Sequence, residues 1–219
     1  MVISEPVSKF AWRSTLKAAA AGNVDAQSML GWCYRQGLHV KKNRPAGIKW
    51  LRLAAKAGDL TAAYNLGEHI VSGWGEGYLS SNEALRWLLK ASEAGCEYAK
   101  NDLGVAVEHG FTSRKLDSDP MRYYKRAAKL GSTLGVWNML RLSLARSRSQ
   151  QKTASLLREF RAMMPRWRRK AKKGDFITCR ILGKAYLNGW GCRKSEIKGA
   201  AYFKKAILFG DPLGKELTV

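Results

Sequence analysis

Residues 55–67 read AKAGDLTAAYNLG, an Ala-rich segment, a glycine, a polar step, then Ala and Leu-Gly at helical spacing. The same pattern returns along the chain. Its glycine stands at Gly22, Gly58, Gly95, Gly131, Gly174 and Gly210, with intervals of 36, 37, 36, 43 and 36 residues. Self-similarity at that period marks stacked repeats, each of which buries its apolar face only against its neighbours. Counting from the glycine, position 4 carries Ala26, Ala62, Ala99, Gly135 and Thr178, and position 8 carries Leu30, Leu66, Leu103, Met139 and Leu182. Position 12 carries Tyr34, Ile70, Val107, Ser143 and Tyr186. The i, i+4, i+8 spacing is one stripe of an α-helix, helix A.

Position 9 is Gly31, Gly67, Gly104 and Gly183, with Leu140 as the exception. A mid-helix glycine costs about 1 kcal/mol relative to alanine and is tolerable where it lets a second helix come close. Position 15 is Gly37, Gly73, Gly110 and Gly189, with Arg146 as the exception, and suits a left-handed helix C-cap. The stretches SGWGEG and NGWGC then read as loops. Helix B follows, with Trp50, Trp87, Tyr123 and Tyr202 each eight residues before the next repeat glycine, as packing knobs. No segment alternates as a strand would.

The expected fold is all-α, an α-solenoid with a right-handed superhelix of about five helix-turn-helix repeats. Residues 1–21 form an N-terminal cap helix, the repeats span 22–57, 58–94, 95–130, 131–173 and 174–209, and 210–219 is a tail in which Asp211-Pro212 would start another helix.

The residues at these positions, Ala26-Leu30-Gly31-Tyr34-Gly37 with Trp50-Ala54-Ala55-Gly58 and their counterparts around Leu66-Gly67, Leu103-Gly104 and Leu182-Gly183-Tyr186, resemble the Sel-one-like repeat, a relative of the tetratricopeptide repeat. The resemblance implies paired helices in a superhelix and a non-catalytic adaptor or scaffold. Secreted bacterial members hold a disulfide in each repeat. Here Cys33, Cys96, Cys179 and Cys192 fall at four different repeat positions without CxxC spacing, so reduced thiols are expected, with a Cys179–Cys192 contact left open.

Charge is regional. The 219-residue chain carries 39 Lys plus Arg against 17 Asp plus Glu, but residues 141–205 hold 19 basic and only 3 acidic side chains. Such a field attracts acidic protein, nucleic acid or an anionic surface. The repeat 131–173 holds its densest part. It replaces the loop with RSRSQQKT, from Arg146 to Thr153, and Pro165 should kink or end its helix B. Beyond the proline lie Arg166, Trp167, Arg168, Arg169, Lys170, Lys172 and Lys173, read as a basic-aromatic docking patch or else a solvated helix end. Arg and Trp there would also suit an anionic membrane surface.

In tetratricopeptide-like stacks helices A line a concave groove. Its exposed positions 6, 10 and 13 would present Trp32, Arg35, Tyr64, Glu68, Asn101, Trp137, Arg141, Arg180 and Lys184. Trp, Tyr and Arg are favoured at binding hot spots. The groove reads as neutral with aromatics over three repeats and cationic at Arg141, Arg180 and Lys184. A protein partner with an acidic surface is therefore expected, with nucleic acid or an anionic surface bound through 141–205 as the alternative.

No chemistry competes with binding. His39, His69 and His109 occupy three different repeat positions and make no HExxH, and neither GxSxG, a Walker-type loop nor a Rossmann glycine run is present. No enzyme activity and no cofactor or metal are expected. The stretch MVISEPVSKFAWRS lacks the cationic start and apolar run of a leader, and no apolar run is long enough to span a bilayer. A cytoplasmic monomer is expected.

Overall fold

A computed structural model describes residues 9–73, 75–111 and 116–211. The tail helix expected from Pro212 onward and the first residues of the N-terminal cap lie outside them. Twelve helical segments and no strand occur among the described residues: α1 (Lys9–Ala20), α2 (Val24–Gln36), α3 (Arg44–Lys56), α4 (Leu60–Gly67), α5 (His69–Ser72), α6 (Ser81–Glu93), α7 (Glu97–Glu108), α8 (Pro120–Lys129), α9 (Thr133–Ala145), α10 (Gln150–Lys172), α11 (Phe176–Asn188) and α12 (Glu196–Leu208). The chain divides into two compact units, Met1–Tyr123 and Tyr124–Val219.

The repeat glycine makes the turn from helix B into the next helix A. All six copies have φ between 87° and 103°, a region that costs an L side chain strain. The next residue's N–H then reaches back to a carbonyl five residues earlier, as in Asp59 N to Ala54 O at 3.0 Å and Ser132 N to Ala127 O at 3.1 Å, closing a Schellman-type turn. That residue also caps the new helix. Asn23, Asp59, Ser132 and Asp175 accept backbone N–H groups of the first turn through their side chains, whereas Cys96 does not. The second glycine ends helix A as expected, with φ of 78°, 64°, 83° and 70° at Gly37, Gly73, Gly110 and Gly189.

Within each unit helices adjacent along the chain pack on one another. In the first, α1 lies on α2, α2 on α3, α3 on α4, α4 on α6 and α6 on α7. In the second, α9 lies on α10, α10 on α11 and α11 on α12. Helices A also meet one another, α2 with α4 and α4 with α7 in the first unit, α9 with α11 in the second. This nearest-neighbour order is that of an α-solenoid. The position-9 glycines allow the close A–B contacts. A Cβ on Gly67 would sit 2.7 Å from Leu88 Cα, and one on Gly183 would sit 2.6 Å from the Phe203 ring. Stacked Ala, Leu and Ile side chains, among them Leu51, Ala55, Ala62, Leu66 and Leu88, make the first unit's core.

One helix of the first unit departs from the expected course. The second repeat's helix A breaks at Glu68 into α4 and α5. His69 is buried beside the break, and its Nδ1 accepts the Gly75 N–H at 2.9 Å, so it braces the following loop.

The second unit corrects two expectations. The second half of RSRSQQKT is helix, because Ser149 caps α10 and the helix starts at Gln150. Pro165 does not end α10, which continues to Lys172. A mid-helix proline costs about 3 kcal/mol. Against that, Leu156, Phe160, Met164, Trp167 and Ala171 form one buried stripe along α10. Burying each large apolar side chain contributes about 1.5–3 kcal/mol, so the stripe outweighs the proline.

Candidate interaction surfaces

In the first unit the helix-A side chains form a polar network. Arg35 Nη2 pairs with Glu68 at 2.5 Å, and Arg35 Nη1 donates to Asn65 Oδ1 at 3.4 Å. Tyr64 OH donates to Asp102 Oδ2 and Asn101 Nδ2 donates to Asp102 Oδ1, each at 3.1 Å. Asp102 is buried, which pushes its carboxyl up to about 7. Nearby Glu68 pushes the same way, and the bonds from Asn101 and Tyr64 oppose it. Burial, the Asp102 and Glu68 charges and the bond to Asp102 all raise the Tyr64 phenol. Asn101, expected at the surface, is 2% exposed: its amide turns inward to satisfy Asp102. Trp32, Arg35, Tyr64 and Glu68 are half-buried, and exposed Tyr98 has its ring 6.0 Å from Tyr64.

In the second unit Trp137 is likewise corrected. It is 4% exposed, with its ring 5.6 Å from Phe160, 6.2 Å from Trp167 and 5.3 Å from Trp190. It is the centre of an aromatic core and no groove residue. The cationic positions are at the surface. Lys184 is exposed, and Arg141 and Arg180 are half-buried. Partial burial of its amine lowers the Lys184 pKa, and the Arg180 and Arg141 charges lower it further, so the three form a like-charge cluster. Arg141 Nε donates to Asn138 Oδ1 at 3.5 Å and Arg180 pairs with Asp211 at 3.4 Å, which fixes two of the three.

The basic patch is sorted by its helix. Trp167, expected as a docking aromatic, is 2% exposed and packs on Phe160. Lys170 Nζ donates to Thr133 Oγ1 at 2.7 Å. Arg168 Nη2 donates to Tyr186 OH at 2.8 Å. Arg166, Arg169, Lys172 and Lys173 are exposed. The four cysteines are free thiols, and burial raises the pKa of Cys33, Cys179 and Cys192. Among the described residues no group of three or more His, Cys, Asp or Glu could hold a metal, and no helix is long and apolar enough to cross a membrane.

Asp102 was not singled out by the repeat pattern, although a signal was present. Position 7 carries Asn65, Asp102 and Asn138 in three successive repeats, polar residues directly before the apolar position 8. The stack of Tyr186 on Tyr202 joins position 12 to helix B, which a list of helix-A positions cannot reveal.

The Sel1 repeat family model matches residues 24–59, 60–96, 121–132 and 178–208, just over half of the chain. The chain belongs to the Sel1 repeat family. Sel1 repeat proteins generally mediate protein–protein interaction and are generally non-catalytic scaffolds. The crystal structure of a Sel1 repeat protein from Oxalobacter formigenes is similar at a TM-score of 0.62 and 25% identity, covering 94% of this chain and 81% of that one. A protective antigen of uropathogenic Escherichia coli with an SLR fold has a TM-score of 0.57 at 24% identity, covering 95% of this chain and 43% of that one, and shows the fold alone. Among curated proteins, the chitin synthase regulator SKT5 of Saccharomyces cerevisiae is 28% identical over 125 residues, 56% of this chain. The chain spans only 18% of that regulator's length.

Proposed function

We propose that this Sel1 repeat protein is a cytoplasmic, monomeric scaffold that holds an acidic protein segment on its helix-A faces. The reading keeps the repeat boundaries set out above. The observation that carries it is the Arg141–Arg180–Lys184 cluster. Burial first, and then the Arg180 and Arg141 charges, penalise the Lys184 ammonium, and Asp211 offsets this only in part, so a further anion brought to the cluster would be favoured. Trp32, Arg35, Tyr64 and Glu68 supply an aromatic and polar edge in the first unit. Adaptor, chaperone and toxin-neutralising immunity protein are all roles of this kind. The likeness to a regulator of an enzyme favours the adaptor.

The test is capture of partners by the immobilised full chain, compared with the Arg141→Glu/Lys184→Glu variant. Loss of an acidic partner at unchanged melting temperature is expected, and undiminished capture overturns the reading. Trp137 has no place in this test, because its removal opens the core.

A second reading rests on exposed Arg166, Arg169, Lys172 and Lys173, which could contact nucleic acid or an anionic surface. No mobility shift of an oligonucleotide and no co-sedimentation with anionic vesicles at low salt would eliminate it.

A further inference from the structure

A shallow cleft of about 250 Å³ lies between α11 and α12, lined by Tyr186, Lys198, Ala201, Tyr202 and Lys205. It shares no residue with the helix-A cluster. Tyr186 and Tyr202 stack with ring centroids 5.6 Å apart and an interplanar angle of 10°. Cations surround the stack. Lys198 Nζ stands 5.7 Å from the Tyr186 centroid, Lys205 Nζ 5.6 Å from the Tyr202 centroid, and the Arg168 guanidinium 6.0 Å from the Tyr186 centroid. None of the three cations is in an ion pair with a carboxylate among the described residues.

Elementary chemistry narrows the ligand. Tyr186 OH accepts from Arg168 at 2.8 Å, so its own hydrogen remains available to donate. One carboxylate would balance only one of the three charges. A phosphate monoester carries about −1.5 to −2 at pH 7 and three acceptor oxygens, a better match to two ammonium groups, a guanidinium and a phenol. The cleft's volume suits a single side chain and its immediate neighbours, and its stacked rings present a compact floor, not a track for successive bases.

We propose that the Tyr186–Tyr202 cleft, with Arg168, Lys198 and Lys205, recognises a phosphorylated side chain on a peptide. The proposal rests on the protein-binding reading and assigns a second, separate site to it. The probe is a heptapeptide with phosphoserine between alanines, titrated calorimetrically into the full chain against its serine counterpart and against inorganic phosphate.

The phosphopeptide should bind at least tenfold more tightly than either. Lys198→Gln/Lys205→Gln should weaken it at least tenfold, and Arg168→Gln should weaken it severalfold, with melting temperatures unchanged because all three side chains are exposed. Lys152→Gln/Arg158→Gln removes the same charge from exposed positions elsewhere on α10 and should change affinity less than twofold. Equal binding of the two peptides, equal affinity for inorganic phosphate, or equal weakening by the control pair overturns the proposal. So does tighter binding of a single-stranded decanucleotide or an anionic vesicle through the same three residues. The Arg141→Glu/Lys184→Glu variant separates the two readings: failure of the helix-A reading appears as unchanged partner capture by it, and failure of the cleft appears in the phosphopeptide titration alone.

Discussion

Asp102→Asn should stabilise the protein strongly at pH 8 and only slightly at pH 4.5. In the folded chain the carboxyl titrates at about 7, against 3.8 when solvated, because burial penalises its charge more than the bonds from Asn101 and Tyr64 favour it. Between those values the folded state holds a proton that the unfolded state has released. Stability therefore falls as pH rises from about 4 to about 7 and is level above. At 1.36 kcal/mol per tenfold change in proton affinity, the loss is about 4 kcal/mol at pH 8 and about 1 kcal/mol at pH 4.5. An asparagine has no charge to desolvate. It keeps an acceptor for Asn101, and Tyr64 OH can accept from its amide. Urea unfolding of both proteins at the two pH values measures the difference, and self-repulsion from the net charge of +22 largely cancels in the comparison. The variant's advantage should grow by about 3 kcal/mol between pH 4.5 and pH 8. Parallel pH profiles, or a variant less stable than wild type at pH 8, refute a buried, high-pKa Asp102.

Cys96→Ser should add about 1 kcal/mol in denaturant titration, since α7 starts without a side-chain cap where Asn23, Asp59, Ser132 and Asp175 supply one. Gly67→Ala should cost about 1–3 kcal/mol, because its Cβ would meet the α6 backbone at Leu88 and not a movable side chain. Its partner control, Gly31→Ala, meets only the Leu51 side chain and a carbonyl at 3.1 Å and should cost less in the same melts. Acidification should loosen the loop that His69 braces: burial lowers the histidine's pKa, so the folded state resists a proton that the unfolded state takes up near 6.5. Amide exchange at Gly75 should therefore be faster at pH 5 than at pH 7.5 once corrected for intrinsic rates, and no such change would remove His69 from that role.

The repeat glycines, their Schellman turns, the capping residues and the helix A/helix B order were legible because each is a local rule repeated at fixed spacing. Gly58-Asp59 turns and caps by its own chemistry whatever packs on it. Side-chain exposure was legible only where a repeat keeps the standard helix spacing. Asn101 went wrong for a different reason: its position is at the surface in the helical projection, but a buried carboxylate at the next residue draws its amide inward.

Trp137 and Trp167 were both misread, and one substitution accounts for both. In α2, α4 and α11 the position-9 glycine lets helix B come within contact of the helix-A backbone, as Leu51, Leu88 and Phe203 do. In α9 that position is Leu140, itself buried, and a leucine at a helix contact holds the facing helix further off than a glycine does. Interaxial distance follows the side chains at the contact, and a wider interface must be filled or left as a cavity. Trp137 fills it from α9, Phe160 and Trp167 from α10, and Trp190 from the loop beyond α11, with ring centroids 5.3 to 6.3 Å apart. The two tryptophans that looked like surface hot spots are therefore the compensation for a lost glycine. Trp137→Ala should cost about 3–5 kcal/mol in urea unfolding, as for a large aromatic removed from a core. A cost below 1 kcal/mol would return Trp137 to the surface and undo this account of the fourth repeat.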